Sequence, residues 1–154
     1  MDFVLDFITQ WGYVGLLICS FIAGSVIPLS SEAIVLACIG PLHLDPVWCL
    51  VSATIGNVMG GMTCYWMGTL GNMEWIVKYC HVSPEKLARA QRYCERYGAW
   101  YALLAWIPIL GSAISVALGY MHANKVVTVI AMTIGKAIRY AVLIWGTLGA
   151  LSLF

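Results

Sequence analysis

Three ionisable side chains lie inside long apolar stretches of this 154-residue chain, and they are the residues best suited to chemistry. They are Glu32, Lys136 and Arg139, and the two cations are three residues apart, so on a helix they share one face. A charge at the centre of a membrane helix costs about 2.5–3.5 kcal/mol. Three charges without partners would cost about as much as the whole stability of a domain. We expect them to pair, to reach water or to bind a ligand.

These side-chain types favour an anion-binding site, although a purely structural role is an alternative. A salt bridge from Glu32 to Lys136 or Arg139 would lock two segments together without a ligand. Two cations facing one carboxylate leave one positive charge over, which a phosphate would neutralise. Arg139 would then act as a fork for the phosphate and Lys136 as a point charge. Glu32 would be a counter-ion or a proton site, because burial raises and nearby cations lower the pKa of a carboxyl group.

The composition indicates that these residues lie in a membrane. Hydrophobic residues make up 62% of the chain and charged residues 10%, whereas soluble domains carry about 25% charged residues. Residues 46–73 and 97–124 are two uncharged runs, and the mean hydropathy is +0.88. We predict an all-α integral membrane protein that forms a single membrane domain over residues 1–154.

An internal repeat predicts the arrangement of the helices. The string TIG occurs at 54–56 and 133–135, and GTLG occurs at 68–71 and 146–149. Similar pairs of GxxH and IP strings recur at nearly the same offset, which indicates a duplication. Each half is predicted to form a re-entrant helical hairpin followed by a transmembrane helix. Each half then makes one net crossing, so the second repeat is inverted relative to the first.

The hairpins are predicted from segments that are too short to cross the membrane. Within 98–121, the pieces on either side of Pro108 cannot span a hydrocarbon core of about 30 Å, so they form a hairpin with its tip near this proline. By the repeat, residues 13–41 form the matching hairpin around Pro28, although 7–27 is long enough for a full span. Repeat 1 covers about 13–72 and repeat 2 about 98–151.

A basic amphipathic helix is predicted between the repeats, at about 83–97. Ser83 suits its N-cap, and Gly98 suits the position after its end. Most of the lysines and arginines lie in this central segment, which the positive-inside rule places in the cytoplasm, with both termini outside. Its apolar face is predicted to consist of Leu87, Ala90, Cys94 and Tyr97.

The repeat also predicts which polar residues meet. Lys136 matches Asn57, and Glu32 matches Ser112, so under two-fold symmetry these positions converge on the centre of the molecule. Ser30 or Ser31 is expected to cap the half-helix that begins near Glu32, and Ser112 its counterpart. Half-helix N-termini carry positive partial charge, which suits anions. The predicted substrate-binding residues are Arg139, Lys136, Glu32, Asn57, Ser31 and Ser112.

Patterns for other chemistry are missing from the sequence. The six cysteines form no CxxC pair, and no glycine-rich phosphate loop or GxSxG elbow occurs. We therefore expect no metal, no cofactor and no nucleic-acid partner, and we do not expect an enzyme.

Four strings together resemble the DedA family of membrane proteins, also called SNARE-associated or VTT domain proteins, in a short bacterial form. They are IPLSSEAIVLA, TIGNVMGGMTCYWMGTLG, RYGAWYALLAWIPILGSAISVALGY and IGKAIRYAVLIWGTLG. The resemblance implies two re-entrant hairpins, a multi-pass place in the bacterial inner membrane, and proton- or sodium-linked movement of polyprenyl phosphate or phospholipid. The family's acid after the first hairpin turn looks like Glu32. The family's second acid would fall on Gly61, and its two arginines would fall near Trp106 and Ser112. This sequence therefore lacks all three of these residues.

The predicted function is therefore translocation of an anionic lipid by a flippase-like transporter. Its partners would be membrane lipids and a proton or sodium ion, and a homo-oligomer is left open. Two alternatives are a small-ion or proton-coupled transporter without a lipid substrate, and a membrane scaffold that transports nothing.

Overall fold

The computed structural model describes residues 2–25, 30–80, 83–107 and 110–152. Over these ranges the chain is almost entirely helical and has no strand, so the predicted all-α class is confirmed. The helices are α1 (Asp2–Gly24), α2 (Ser31–Ile39), α3 (Pro46–Thr69), α4 (Met73–Cys80), α5 (Pro84–Tyr97), a 3₁₀ helix (Gly98–Trp106), α6 (Gly111–Tyr120) and α7 (Lys125–Leu151).

Three helices in the described ranges are long and apolar enough to cross a membrane: residues 6–24, 46–69 and 125–150. At 1.5 Å per residue they measure about 29, 36 and 39 Å, against a hydrocarbon core of about 30 Å. The long helix predicted at the end of each repeat is thus present, as α3 in the first half and α7 in the second. The chain has the architecture that its composition predicts for a membrane protein.

Helix α1 is long enough to span, but it is broken near its middle, at Gly12. Gly12 has φ 56° and ψ −128°, a left-handed conformation that glycine adopts without a Cβ clash. The part after this break, residues 13–24, measures about 18 Å and has the length of a half-helix. The turn predicted at Pro28 lies outside the described residues.

The segments that correspond to the predicted second hairpin are short. The 3₁₀ helix has nine residues and α6 has ten, which give about 18 and 15 Å. Neither can cross a core of about 30 Å. The two helices contact each other, while the predicted tip residue Pro108 lies outside the described part of the chain.

The turns that immediately precede α3 and α7, which we call the corners, have the same backbone conformation and the same type of helix cap. His43 and His122 have left-handed φ angles of 49° and 52°. Asp45 and Asn124 then cap α3 and α7, each accepting hydrogen bonds from two backbone amides at the helix start. Each pair is 79 residues apart in the sequence, which is the offset of the repeated TIG string.

Glycines allow the helices to approach closely. A Cβ atom at Gly56 or Gly60 would collide with a carbonyl oxygen of α1, and one at Gly68 with a carbonyl oxygen of α6. Gly135 stands in the same relation to the 3₁₀ helix. This is the close packing typical of small residues at four-residue spacing in membrane helices.

Helix α5 has the predicted caps and most of the predicted apolar face. The Ser83 side chain accepts a hydrogen bond from an amide of the first turn, and Gly98 ends the helix with φ 62°. The buried residues are Leu87, Ala90 and Cys94. The prediction for Tyr97 is wrong, because its side chain is exposed. It lies in the last turn, where its ring stacks on that of Tyr101.

The buried apolar residues form two clusters that share α3 and α7. One cluster includes Val58 and Met132, and the other includes Ala53 and Tyr140. Both long helices pass from one cluster to the other between these residues. The predicted polar residues of α3 and α7 lie in this interval, so the core positions them at the junction of the two clusters.

Candidate functional site

Helix α7 presents its polar residues toward the junction of the two clusters. Arg139 and Tyr140 lie three and four residues after Lys136, so each shares a helix face with it. Glu32 approaches from the first turn of α2, and Asn57 from the middle of α3. We call the group Ser31, Glu32, Asn57, Lys136, Arg139 and Tyr140 the interior site.

Arg139 and Glu32 form an ion pair, as one of the two predicted salt bridges requires. Arg139 Nε donates to Glu32 Oε1 at 3.0 Å, and Arg139 Nη2 donates to the same oxygen. The Arg139 side chain is 16% exposed and that of Glu32 is 44% exposed. The pair is therefore enclosed on the arginine side and open on the carboxylate side.

Lys136 does not share this carboxylate. Its side chain is 5% exposed, and Nζ donates to the backbone carbonyl oxygen of Asn57 at 2.5 Å. Among the described residues, the carboxylate of Glu32 is the one acid in an ion pair, and its partner is Arg139. The sequence leaves open which of the two cations pairs with Glu32, and the structure gives Lys136 an uncharged acceptor.

Gly61 leaves the space that the lysine end group occupies. A Cβ atom at this position would lie 3.1 Å from Lys136 Nζ and 3.7 Å from Ser115 Oγ. The Ser115 hydroxyl itself donates to the carbonyl of Gly111 at 2.8 Å. The ammonium group of α7 thus fills the place on α3 where a side chain would otherwise project.

Tyr140 is a member of the site that the sequence analysis missed. Its side chain is 1% exposed, and its hydroxyl, which faces Ser31 and Asn57, has no hydrogen bond of normal geometry to the residues the structure describes. A buried hydroxyl without a partner costs about 1–3 kcal/mol. The signal in the sequence is its place four residues after Lys136, on the face that carries both cations.

Ser31 and Asn57 are both buried, and both lie beside Tyr140. The predicted helix caps are wrong. Ser30 occupies the N-cap position of α2 but makes no side-chain bond there. Ser112 is inside the first turn of α6, whose N-cap residue is Leu110.

Ser112 does not cap α6 because the helix begins at Gly111, one residue before it. The amide of Gly111 donates to the carbonyl of Ile107, and that of Ile114 donates to Leu110. Leu110 is therefore at the N-cap position, and its carbonyl accepts the hydrogen bond that starts the helix. Ser112 is half-buried, and the structure records no contact between it and the interior site.

Groups of three or more His, Cys, Asp or Glu side chains that could hold a metal ion do not occur among the described residues. The chemistry of the interior site thus consists of two cations, one carboxylate, and the hydrogen-bonding groups of Ser31, Asn57 and Tyr140. Such a set can bind an anion by charge and by hydrogen bonds.

Comparisons with known proteins give a consistent family. A family model described as the VTT domain matches residues 21–150. The inner membrane protein YqaA of Escherichia coli is 28% identical over 121 residues, which cover 79% of this chain and 80% of that protein. Undecaprenyl phosphate transporter A of Bacillus subtilis is 27% identical over 124 residues, 75% of this chain and 60% of that protein.

A third relative has a name of a different kind. An alkaline phosphatase-like protein of Lactococcus lactis is 26% identical over 162 residues, covering 97% of this chain and 74% of that protein. No solved structure gives a significant match to the chain.

Proposed function

Since this chain belongs to the VTT domain family, also called the DedA family, we propose that it translocates an anionic lipid across the bacterial inner membrane. It would cross this membrane several times, with the headgroup bound in the interior site. The predicted family is confirmed by the match to residues 21–150, and the relatives make the chain a bacterial membrane protein. Transport, its substrate and the binding residues are the proposal.

The observation that carries this proposal is that Lys136 is buried without an acidic partner among the described residues. Arg139 is neutralised by Glu32, but Lys136 is almost fully buried and its hydrogen-bond acceptor is a carbonyl oxygen. A buried charge without an opposite charge is costly. An anionic headgroup would supply that opposite charge, and the neighbouring guanidinium of Arg139 offers a second, forked contact for phosphate oxygens.

The neutral groups of the site fit the rest of a phosphate headgroup. The hydroxyl of Tyr140 is buried and lacks a partner of normal geometry among the described residues. Ser31 and the side chain of Asn57 lie beside it. Together they offer donors for phosphate oxygens that the two cations do not reach.

The internal duplication supports a place near the centre of an inverted repeat. Lys136 and Asn57 are equivalent residues at the repeat offset of 79, and they are joined by a hydrogen bond. Equivalent residues of two halves touch only near the axis that relates the halves. The matching corners at His43 and His122 support the same relation. We propose two inverted repeats with re-entrant hairpins, and gating by movement of one repeat against the other.

Glu32 is proposed as the coupling residue. An anion that binds Arg139 competes with the Glu32 carboxylate for the same guanidinium nitrogens. A displaced carboxylate would be favoured to bind a proton or a sodium ion, because its cationic partner is then occupied. The 44% exposure of its side chain provides the access that such an exchange requires.

The lipid class follows from the names of the relatives. The Bacillus subtilis protein is named for transport of undecaprenyl phosphate, and a polyprenyl phosphate or a phospholipid carries the phosphate group that the interior site fits. The phosphatase-like name belongs to the Lactococcus lactis protein. We propose transport without hydrolysis for this chain, which the same experiment can check by measuring phosphate release.

Reconstitution in liposomes tests the proposal. Labelled polyprenyl phosphate and labelled phosphatidylglycerol are each followed from one leaflet to the other. The natural protein should move at least one of these lipids. Lys136→Met and the double variant Glu32→Gln/Arg139→Gln should each move it at least tenfold more slowly than the natural protein. Arg92→Gln on the exposed face of α5 is the control and should retain it.

Three results would contradict the proposal. Ion flux without lipid movement would favour the small-ion transporter. Equal lipid movement in all variants would place the pathway elsewhere in the protein. Release of phosphate from the lipid would indicate an enzyme.

A further inference from the structure

A groove separate from the interior site lies between α5, the 3₁₀ helix and α6. Its volume is about 730 Å³, within the range of about 300–1,000 Å³ that is usual for ligand-binding sites. Lys86 and Arg89 line it from the start of α5, and Leu110 and Ile114 line it from the side of α6. We call it the α5 groove.

The α5 groove has a cationic end and an apolar end. Lys86, Arg89, Tyr93 and Tyr97 all line it, and their spacings of three and four residues place them on one face of α5. From Lys86 to Tyr97 the helix rises about 16 Å. The two charged side chains lie near the start of the helix, and the two aromatic rings lie toward its end.

The apolar end continues onto the surface of the membrane helices. Trp100 and Leu104, both exposed, extend the lining from Tyr97 along the 3₁₀ helix. The 3₁₀ helix in turn packs on α7, which is long enough to span the membrane. A molecule in this end of the groove would therefore be in contact with the acyl region of the bilayer.

The cationic end is available to a ligand. Both Lys86 and Arg89 are exposed, and no acidic residue is part of the described lining. Neither of them is ion-paired with a carboxylate in the described ranges. The aromatic wall is held by ring stacking, since Tyr101 stacks on Tyr93 with the ring centroids 5.6 Å apart.

We propose that the α5 groove binds one anionic phospholipid. Its phosphate would contact Lys86 and Arg89, and an acyl chain would lie along Tyr97, Trp100 and Leu104. The order of charge and apolar surface along the groove is the order of headgroup and chain in a lipid. Anionic lipids are also the abundant negative charges at the cytoplasmic face, where the sequence analysis places α5. The proposal does not depend on transport through the interior site.

Native mass spectrometry in detergent tests this proposal, with phosphatidylglycerol and phosphatidylcholine titrated separately. Lys86→Gln/Arg89→Gln should weaken the binding of phosphatidylglycerol roughly 30-fold, since each cation near an anionic surface contributes about 1 kcal/mol. The matched control Arg92→Gln/Lys125→Gln removes the same charge from residues that do not line the groove. It should change this binding less than about threefold.

The contribution of the apolar end needs its own variant. Trp100→Ser shortens the exposed apolar wall and should weaken phosphatidylglycerol binding several-fold while leaving the cations in place. Glycerol phosphate, which has the charge but no acyl chain, should not compete at concentrations that saturate the lipid. Thermal unfolding of each variant checks that the fold is retained.

The outcomes separate this inference from the proposed function. Glu32→Gln/Arg139→Gln should leave binding in the groove unchanged, even where it abolishes transport. Equal losses in the groove variant and its matched control would overturn the inference, as would equal affinity for phosphatidylcholine. Effective competition by glycerol phosphate would also overturn it, because the apolar end would then contribute nothing.

Discussion

The interior site and the α5 groove each contain two cations, but their surroundings differ. Lys136 and Arg139 are largely buried and each donates to a fixed acceptor. Lys86 and Arg89 are exposed and have no ion pair among the residues that the structure describes. Buried charges interact strongly and are weakly screened, whereas exposed ones are screened within about 10 Å at 0.1 M salt. The comparison teaches that the same side-chain types are held in place by fixed acceptors inside the protein and remain free of ion pairs at its described surface, which suits the two different roles proposed for them.

The largest expected difference concerns single charge removals. Arg139→Gln leaves Glu32 without its partner and should reduce the free energy of unfolding by about 1.5–3 kcal/mol, the usual contribution of a hydrogen bond to a charged group. Because Glu32 is 44% exposed, the lower end of this range is expected. Lys86→Gln should change it by less than about 0.5 kcal/mol. Thermal unfolding in detergent measures both.

The double variant Glu32→Gln/Arg139→Gln is the control for that comparison. It removes both charges together, so most of the lost stability should return while lipid transport stays low. If Lys86→Gln were as damaging as Arg139→Gln, the distinction between interior and surface cations would fail.

A carboxylate placed beside Lys136 should give the next largest effect. Gly61→Asp puts an acid next to Nζ, since a Cβ atom there lies 3.1 Å from it and the end of the lysine can shift. It should be at least about 1 kcal/mol more stable than Gly61→Asn, which has the same shape without the charge. Lipid transport should fall about tenfold in Gly61→Asp, because the cation is then neutralised. Equal stability and equal transport in the two variants would contradict a role of Lys136 in binding the lipid.

Salt should distinguish the two regions by a smaller amount. Raising the salt concentration from 0.1 to 1 M shortens the screening length from about 10 to 3 Å. Binding of phosphatidylglycerol to the α5 groove should weaken roughly tenfold, while the lipid concentration that half-saturates transport should change less than about twofold. Titrations at both salt concentrations check this, and a stronger dependence for the interior site would reverse the comparison.

The last test compares the buried and exposed faces of α5, which supports the groove, and it should affect neither stability nor transport. Burial, with a smaller contribution from the nearby carboxylate of Glu95, raises the pKa of the Cys94 thiol to about 12. Because a thiol reacts as its thiolate, only about one molecule in a thousand is reactive even at pH 9. A variant with Cys94 as its one cysteine should resist maleimide from pH 7 to 9. The matched variant has its one cysteine at the exposed position 97, through Tyr97→Cys together with Cys94→Ala. It should react with maleimide at least a hundredfold faster than the variant that retains Cys94.

Much of the fold could be predicted because hydropathy and helix signals are local. The length of α3 follows from an uncharged run, and that of α7 from an apolar run interrupted by Lys136 and Arg139. The ends of α5 follow from Ser83 and Gly98. A pairing of Glu32 with a cation also follows, since an isolated carboxylate in an apolar segment requires one, but the sequence leaves open whether Lys136 or Arg139 provides it. The turns at Pro28 and Pro108 fall outside the described residues, and the orientation in the membrane stays a prediction.

The partner of Lys136 could not be predicted for a physical reason. Its acceptor is the backbone carbonyl of Asn57, and every residue has a carbonyl, so no residue type reveals which one is used. The hydroxyl of Tyr140 was missed because a tyrosine in an apolar helix is normally a packing residue. The serine cap at Ser112 was predicted wrongly because α6 begins at Gly111, one residue earlier, so Ser112 lies inside its first turn.

The hydrogen bond between Lys136 and Asn57 has an evolutionary consequence under the proposed symmetry. A dimer of two identical ancestral subunits would carry the same residue on both sides of its axis. Two lysines there would repel each other, and two asparagines would bring no charge. Fusion of the two copies into one gene allowed the positions to diverge into a donor and an acceptor. Under this symmetry, a fused chain can therefore carry a single positive charge at the axis, whereas a symmetric dimer could carry only two or none.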